Sequence, residues 1–408
     1  MTIRKALVML FLFLSFALFA TGGQEGTTLN IMEIYTTMPK WNEYVAACEK
    51  ALGIKLNIIA APTETAARQQ KITTMLSSKD PSIDIFNIND EMISAFKNAG
   101  WLQPLQHDVM TPDVVKNFAA KQYIKDMITS KNGDILTVPF DSVMLSFWVD
   151  EALLKSAGMK VPTNLDEFIA VAKATTRDGR WGYVGAWEKE YAYMEIATFV
   201  NLFGGNFLDW TNPANKKAIQ FMYDLVNTWK VTPMALIADQ YGQMSQRIIE
   251  GKAAMFFMWG YGDDYKAANR YGEDKVHIAP MPKFETRAAF IGAWHQCLSV
   301  ASKNKQLGYK FLKYTANREG NLAAWQLLDR YPARLDAQAD PSVLSLDAPL
   351  KKMYDYYSAN VTLRARPMLP QTMEYITDIG SLFQQYVQNQ ITIDKFLDLA
   401  QQSVNKNK

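Results

Sequence analysis

The chain has 408 residues, of which 43 are Lys or Arg, 41 are Asp or Glu and only two are Cys. Its hydrophobic fraction of 49% is that of a globular protein. No run of five or more like charges occurs, so the basic stripe that a nucleic-acid or anionic-membrane partner requires is missing. These values exclude nucleic-acid binding and indicate a globular chain of two or more domains.

The N-terminus is typical of a secretory signal. Arg4 and Lys5 precede a segment, residues 6–20, in which only Ser15 is not apolar. This pattern predicts a cleaved signal peptide over residues 1–20. A transmembrane anchor is the alternative, but a bilayer needs about 20 apolar residues. Neither residue 21 nor residue 22 is a cysteine, so we expect no lipid anchor and a periplasmic location.

Short β-like runs then alternate with helical patterns. Strands are predicted at 29–35, 55–60 and 84–88, and helices at 41–52 and 64–76. Such alternation is typical of a largely parallel sheet with helices on both faces. Ligands of these sheets bind beyond the carboxyl ends of the strands, so functional residues are sought there.

Cys48 lies on the apolar face of the first predicted helix, which also carries Trp41, Tyr44 and Leu52. This spacing predicts a buried thiol. A Cys48–Cys297 disulfide in an oxidising compartment remains the alternative.

A second α/β unit is predicted after Pro139. Its expected elements are a strand at 144–149, a helix opened by the capping box Thr163–Asp166, a helix from Asn212-Pro213 to Trp229, and strands at 253–258, 276–279 and 297–301. From residue 307 onward the pattern is mainly helical, with apolar stripes within 379–387 and 393–404.

Signatures of exported enzymes are missing from the sequence. It contains no G-x-S-x-G, H-E-x-x-H, P-loop or C-x-x-C motif, and its three histidines show no metal-ligand spacing. We therefore expect neither a cofactor nor a metal. A glycosidase needs only two carboxylates roughly 5–10 Å apart, and several acids lie near predicted strand ends. These acids are Asp90, Glu91, Asp141, Asp263 and Asp264. The alternative to a functional role is that they are solvated or cap helices.

The sequence feature that most favours a ligand-binding cleft is a set of aromatic residues beside glycines. They occur as Trp181-Gly182-Tyr183, Trp259-Gly260-Tyr261 and Gly292-Ala293-Trp294, with Trp187 nearby. In residues 250–264 the aromatic residues continue past Gly260, where the predicted strand has ended. Rings at a cleft bind the apolar face of a sugar while polar groups bind its hydroxyls. Ordinary core packing is the alternative.

Six stretches together resemble a known family. They are PSIDIFNINDEMISAFKNAGWLQPL (81–105), VPFDSVMLSFWVDEALLKSAGMKVPTNLDEF (138–168), GKAAMFFMWGYGDD (251–264), IAPMPKF (278–284), IGAWHQCLSVASKNK (291–305) and RYPARLDA (330–337). Their content and order are similar to those of the periplasmic substrate-binding proteins of ABC-type sugar importers, the class that includes maltose-binding protein. The resemblance runs from about residue 29 to the C-terminus.

This resemblance implies an α/β fold of two lobes, each a mostly parallel sheet flanked by helices, joined by three crossings. The N-terminal lobe is expected to comprise residues 27–139 and 286–335, and the C-terminal lobe residues 140–285 and 336–408. The ligand is expected between them.

The resemblance also implies ligand-binding residues. The expected set, to which Trp259 is added from the aromatic pattern, is Tyr35, Asp90, Glu91, Asp141, Trp187, Tyr193, Trp259, Tyr261, Trp294 and Arg334. With Arg334 as essentially the only basic residue in it, a highly phosphorylated ligand is disfavoured.

The function that these features predict is capture of a carbohydrate or polyol by hinge closure and its delivery to ABC permease subunits. The protein is expected to be a monomer without catalytic activity. A secreted glycoside-active enzyme and a ligand-binding sensor subunit are the alternatives. The sequence does not identify the sugar.

Overall fold

The computed structural model describes residues 27–118, 124–366 and 368–408, without the side chains of residues 98 and 125. The predicted signal peptide lies outside the described residues.

Eleven strands form two sheets within the described ranges. They are β1 (Thr28–Glu33), β2 (Lys55–Ala60), β3 (Ile85–Asn89), β4 (Val138–Pro139), β5 (Val143–Asp150), β6 (Trp181–Tyr183), β7 (Ala253–Trp259), β8 (Val276–Ala279), β9 (Ala288–Gly292), β10 (Trp294–Leu298) and β11 (Thr362–Arg364).

Helices surround both sheets. They are α1 (Trp41–Leu52), α2 (Thr65–Ser77), α3 (Asp90–Ala99), α4 (Pro112–Val115), α5 (Glu151–Ser156), α6 (Leu165–Thr175), α7 (Ala192–Leu202), α8 (Pro213–Asn227), α9 (Tyr241–Ile249), α10 (Asp263–Ala267), α11 (Lys305–Thr315), α12 (Arg318–Leu328), α13 (Leu335–Gln338), α14 (Pro341–Leu346), α15 (Ala348–Asn360), α16 (Thr372–Val387) and α17 (Ile393–Lys406). Single turns of 3₁₀ helix at Tyr35–Thr37 and Met234–Ala238 and of π helix at Ile124–Ile128 complete the set.

The first sheet has the strand order β2-β1-β3-β10-β4. Strands β1, β2 and β3 are parallel, as the strand–helix alternation predicts, whereas β10 is antiparallel to β3 and β4. The second sheet has the order β11-β9-β5-β7-β6, with β8 also paired to β5. Its central strand β5 is antiparallel to β7, β8 and β9. The expected two α/β halves are therefore present, but both sheets are mixed rather than mostly parallel.

Each sheet has its own hydrophobic core. The first core contains residues such as Ile31, Phe86 and Leu298, and the second contains Phe147, Phe257 and Phe383. Because the two cores are separate, the chain is built as two halves with a boundary between them.

The short segment between β9 and β10 marks a passage between the halves. Strand β9 pairs with β5 and β11 of the second sheet, whereas β10 pairs with β3 of the first. Residues 286–335 were all expected in the N-terminal lobe, but Ala288–Gly292 belongs to the second sheet.

Most predicted elements agree with the structure within one or two residues. The helix expected to open with a Thr163 capping box instead has Asn164 as its N-cap, whose Oδ1 accepts from the N–H of Glu167. The strand predicted at 297–301 is β10 at Trp294–Leu298, so it begins three residues earlier.

Cys48 and Cys297 are both buried free thiols, so no disulfide joins them. The helical spacing predicted this correctly for Cys48, which is one of the buried residues of α1.

Candidate functional site

A cavity of about 310 Å³ lies between the two halves. A volume of this size lies at the lower end of the range for small-molecule sites. Its aromatic and charged lining residues are Tyr35, Arg68, Glu91, Asp141, Glu190, Tyr191, Tyr193, Tyr241, Trp259, Tyr261, Trp294, Arg330 and Arg366.

Strand ends of the first sheet place one wall of this cavity. Tyr35 follows β1, and Glu91 stands in the first turn of α3, directly after β3. Trp294 is the first residue of β10 and pairs with Asn89, the last residue of β3. Because β10 runs antiparallel to β3, its amino end meets the carboxyl end of β3, so Trp294 joins the residues that follow the parallel strands.

The Trp259-Gly260-Tyr261 stretch supplies part of the opposite wall. Trp259 ends β7 and pairs with Leu145 of β5. The phenol of Tyr261 donates to the carbonyl of Ser142 at 3.2 Å, which fixes the ring beside the cavity. Gly262 has φ +68°, a left-handed conformation that glycine adopts readily, and it turns the chain into α10. The aromatic residues thus continue past the strand because they line the cavity.

Asp141, just after β4, is held by donors from the first half. Its carboxylate accepts from the Tyr35 hydroxyl at 3.0 Å and from the Trp294 N–H at 2.8 Å. Burial raises the pKa of Asp141, although the Trp294 N–H and the charge of Arg330 oppose this shift. Asp141 therefore organises Tyr35 and Trp294 around the cavity.

Glu91 joins the two halves. Its carboxylate accepts from Asn89 Nδ2 at 2.6 Å and also from Arg366 and the Tyr193 hydroxyl. Arg366 comes from the segment after β11, and Tyr193 from α7, so both donors belong to the second half. Burial lowers the pKa of Arg366, but Glu91 and other neighbours outweigh that effect and the net shift is upward. This ion pair bridges the cleft.

Further contacts cross the cleft from α2. The hydroxyls of Thr65 and Tyr191 lie 3.3 Å apart. Gln69 Nε2 donates to Met373 Sδ at 3.0 Å. These contacts bring the rims of the two halves together over the cavity.

Three guanidinium groups lie against aromatic rings of the cavity. Arg366 is centred 4.3 Å from the Trp259 ring, Arg330 4.1 Å from the Tyr261 ring and Arg68 5.3 Å from the Trp294 ring. Such contacts are cation–π interactions. One face of each ring is therefore covered by an arginine.

Seven of the ten predicted binding residues line the cavity. They are Tyr35, Glu91, Asp141, Tyr193, Trp259, Tyr261 and Trp294.

The other three predicted binding residues do not line the cavity and have hydrogen-bond partners within the protein. Trp187 is fully buried, where its Nε1–H donates to Glu195 at 2.8 Å. Asp90 is also fully buried, accepts from His295 Nε2 at 2.8 Å and pairs with Arg366. Arg334 donates to Asp336 and to the Ala316 carbonyl. The structure does not bring these three side chains into the cavity lining, and their role in ligand binding stays a prediction.

The three arginines that line the cavity, Arg68, Arg330 and Arg366, were not predicted from the sequence. Arg68 lies on the buried face of α2 with Ile72 and Leu76. A basic residue on an otherwise apolar helix face could have indicated a functional role for Arg68. Arg330 begins the RYPARLDA stretch, in which Arg334, four residues later, is the residue predicted to bind the ligand. Arg366 follows a short edge strand, and no pattern in the sequence marked it.

Comparison with known proteins identifies the class. Residues 35–322 match the family model described as bacterial extracellular solute-binding protein. The chain belongs to this family, which is a family of binding proteins rather than of enzymes. Among the described residues no helix is long and apolar enough to cross a membrane, and no group of three or more His, Cys, Asp or Glu has metal-binding geometry.

Particular relatives agree in chain length and fold. The maltodextrin-binding protein MdxE of Bacillus subtilis is 25% identical over 313 residues, 72% of each chain. A mannitol-binding protein of Pseudomonas aeruginosa is 22% identical over 381 residues, 82% of each chain. The maltose-bound structure of MalE3 from T. maritima superposes with a TM-score of 0.80 at 20% identity, covering 93% of this chain and 99% of that one. The two-lobed fold inferred from the resemblance is thereby confirmed.

Proposed function

We propose that this protein captures a carbohydrate or polyol between its two halves, closes around it and delivers it unaltered to the membrane permease of an ABC importer. The observation that carries the proposal is the cavity itself, where aromatic rings from both halves face polar groups. The names of the maltodextrin-, mannitol- and maltose-binding relatives support the ligand class.

The cavity chemistry suits a ligand rich in hydroxyls. Trp259 and Trp294 are only partly buried and each has a face without an arginine on it. Asn89 lines the cavity, and its Oδ1 has no hydrogen-bond partner within the described structure. A stacked ring adds about 0.5–1.5 kcal/mol to the burial of its surface. A few such contacts with several hydrogen bonds suffice for micromolar affinity, about −8 kcal/mol.

The carboxylates of the cavity favour binding over catalysis. Glu91 is held by Arg366 and Tyr193, and Asp141 by Tyr35 and the Trp294 N–H. With their oxygens occupied by fixed protein donors, these acids position residues rather than move protons. We therefore propose that the protein has no glycosidase activity.

The lobes that close are proposed to meet at three crossings, with the second between β9 and β10, near Ala293. The strand pairing on either side of Ala293 supports this position. Relative to the sequence-based boundaries, residues 286–292 move to the C-terminal lobe. We further propose a periplasmic monomer.

Calorimetric titration tests the proposal with maltose, maltotriose, mannitol, ribitol, glucose, glucuronate and galacturonate. At least one should bind with a micromolar or lower Kd and be recovered unchanged by mass spectrometry. Binding should also reduce the radius of gyration in small-angle scattering. Absence of binding to every compound would refute the proposal, and release of cleaved sugar would revive the enzyme alternative.

A further inference from the structure

Arg68 differs from the other two cavity arginines in its charge balance. Arg330 pairs with Asp263, and Arg366 pairs with Glu91 and Asp90. Arg68 has no Asp or Glu within ion-pair distance in the part of the chain that the structure describes, and its residue surface is only 3% exposed. A buried charge without a counter-charge is costly, because burial removes its hydration.

The hydrogen bonds of Arg68 also leave donors free. Nη1 donates to the carbonyls of Pro62 and Thr63 at 3.2 and 2.9 Å, and Nη2 donates to Thr65 Oγ1 at 3.3 Å. Nε is buried and has no acceptor within the described structure. A guanidinium has five N–H groups, so Nε and one hydrogen of Nη2 remain for another acceptor. These two nitrogens lie on one edge of the planar group, which matches the two oxygens of a carboxylate.

The pKa shifts agree with this difference. In all three arginines burial lowers the pKa. At Arg330 and Arg366 neighbouring negative groups outweigh burial, so their net shift is upward. At Arg68 the attraction of Glu91 does not compensate, and the net shift is downward.

We propose that Arg68 recognises a carboxylate on the ligand, so that the protein is selective for a sugar acid, a uronic or aldonic acid, over the neutral sugar. This inference rests on the proposed function and specifies its ligand class. The carboxylate would complete the donor set of Arg68 in the cavity that this side chain lines.

The acids that line the same cavity limit the charge of the ligand. Glu91 and Asp141 are already engaged by protein donors, whereas Glu190 forms no ion pair within the described ranges. Glu190 is partly exposed, so solvent screens it more than it screens the buried Arg68. Three nearby carboxylates nevertheless disfavour a dianion, so a single carboxylate suits the cavity better than a phosphate.

Calorimetry on the full protein compares matched ligands. The probes are galacturonate with its methyl ester and galactose, glucuronate with glucose, gluconate with sorbitol, and glucose 6-phosphate. One charge-assisted contact should make at least one acid bind about 10- to 100-fold tighter than its neutral partner. The ester comparison needs no variant, so it tests the inference even if substitutions disturb folding.

Variants then assign the preference to Arg68. Arg68→Gln should bring the ratio of acid to neutral affinity close to one. Arg68→Lys should leave an intermediate ratio, because lysine keeps the charge but lacks the planar pair of N–H donors. Arg177→Gln, an exposed arginine outside the cavity, is the matched control and should keep the wild-type ratio.

Three outcomes would overturn the inference that Arg68 recognises a ligand carboxylate, and a fourth would overturn the proposed function as well. Neutral sugars or polyols that bind as tightly as the acids would overturn the inference and leave the proposed function standing. An acid preference that survives in Arg68→Gln, or a tighter Kd for glucose 6-phosphate than for every acid, would also overturn it. Failure of all probes, neutral and acidic, would overturn both.

Discussion

Removal of Arg366 should show how strongly the bridge between the halves stabilises the protein. In Arg366→Met the carboxylates of Asp90 and Glu91 lose a cation with which both are paired, while both stay buried at 0% and 7% exposure. Loss of one partner of a buried ion pair costs about 3–5 kcal/mol. We expect the lower end, about 3 kcal/mol, because Glu91 keeps Tyr193 and Asn89 as donors and Asp90 keeps His295.

Urea unfolding followed by circular dichroism measures this cost. The matched control is Arg318→Met, because Arg318 pairs with Asp340 with its own side chain 49% exposed. Loss of such an exposed pair should change the free energy of unfolding by less than about 1 kcal/mol. In a double-mutant cycle, Glu91→Gln with Arg366→Met should cost less than the sum of the two single changes, since the neutral amide no longer needs the cation.

Small-angle scattering adds a conformational readout. Because Arg366 and Glu91 lie on opposite sides of the cleft, Arg366→Met should weaken closure, so that ligand binding reduces the radius of gyration less than in the wild type. A free energy of unfolding within 1 kcal/mol of the wild-type value, or strict additivity in the cycle, would show that our reasoning about the bridge is wrong.

Three other predictions concern single side chains. Trp294→Ala should weaken ligand binding at least 10-fold in calorimetry, with little loss of stability in thermal unfolding. Trp187→Ala should instead cost about 3–5 kcal/mol of stability without a direct effect on the site. The opposite pattern would show that the roles of the two tryptophans are exchanged. Burial raises the pKa of Glu195 to about 7, from 4.5, so its contribution to stability is complete below pH 4.5 and is lost as the pH rises through 7. A rise of the pKa from 4.5 to about 7 is worth roughly 3 kcal/mol, and urea unfolding at several pH values should show this decline in the wild type but not in Glu195→Gln. Burial raises the pKa values of Cys48 and Cys297 to about 12, so neither thiol should react with a thiol reagent at pH 8 until the protein is unfolded, and rapid reaction of the native protein would contradict their placement.

Local patterns predicted the secondary elements well where one face of the element is buried. Helix α1 has the predicted bounds, because its apolar spacing ends at Gly53, which adopts φ +65° after the last turn. Strands β4, β6, β9 and β11 were missed. They contain only two, three, five and three residues, and their place is decided by pairing with other strands rather than by a pattern of their own.

The site was predictable where backbone topology fixes a residue. Tyr35 and Glu91 follow parallel strands and line the cavity as that rule predicts. Trp187 resembles Trp294 in sequence, but the buried Glu195 accepts its indole N–H and draws it into the core. Long side chains such as Arg330 reach the cavity through contacts between distant segments, which no local pattern encodes.

The placement of Trp259 and Trp294 gives the protein an intrinsic optical signal. Both indoles line the cavity and are partly exposed, whereas Trp148, Trp187 and Trp325 are fully buried and should contribute a constant background. A ligand that covers the open faces of the two cavity indoles will change the polarity around them and shift their emission. Occupancy should therefore be readable by fluorescence without a label, and Trp259→Phe and Trp294→Phe should divide the signal between the two walls.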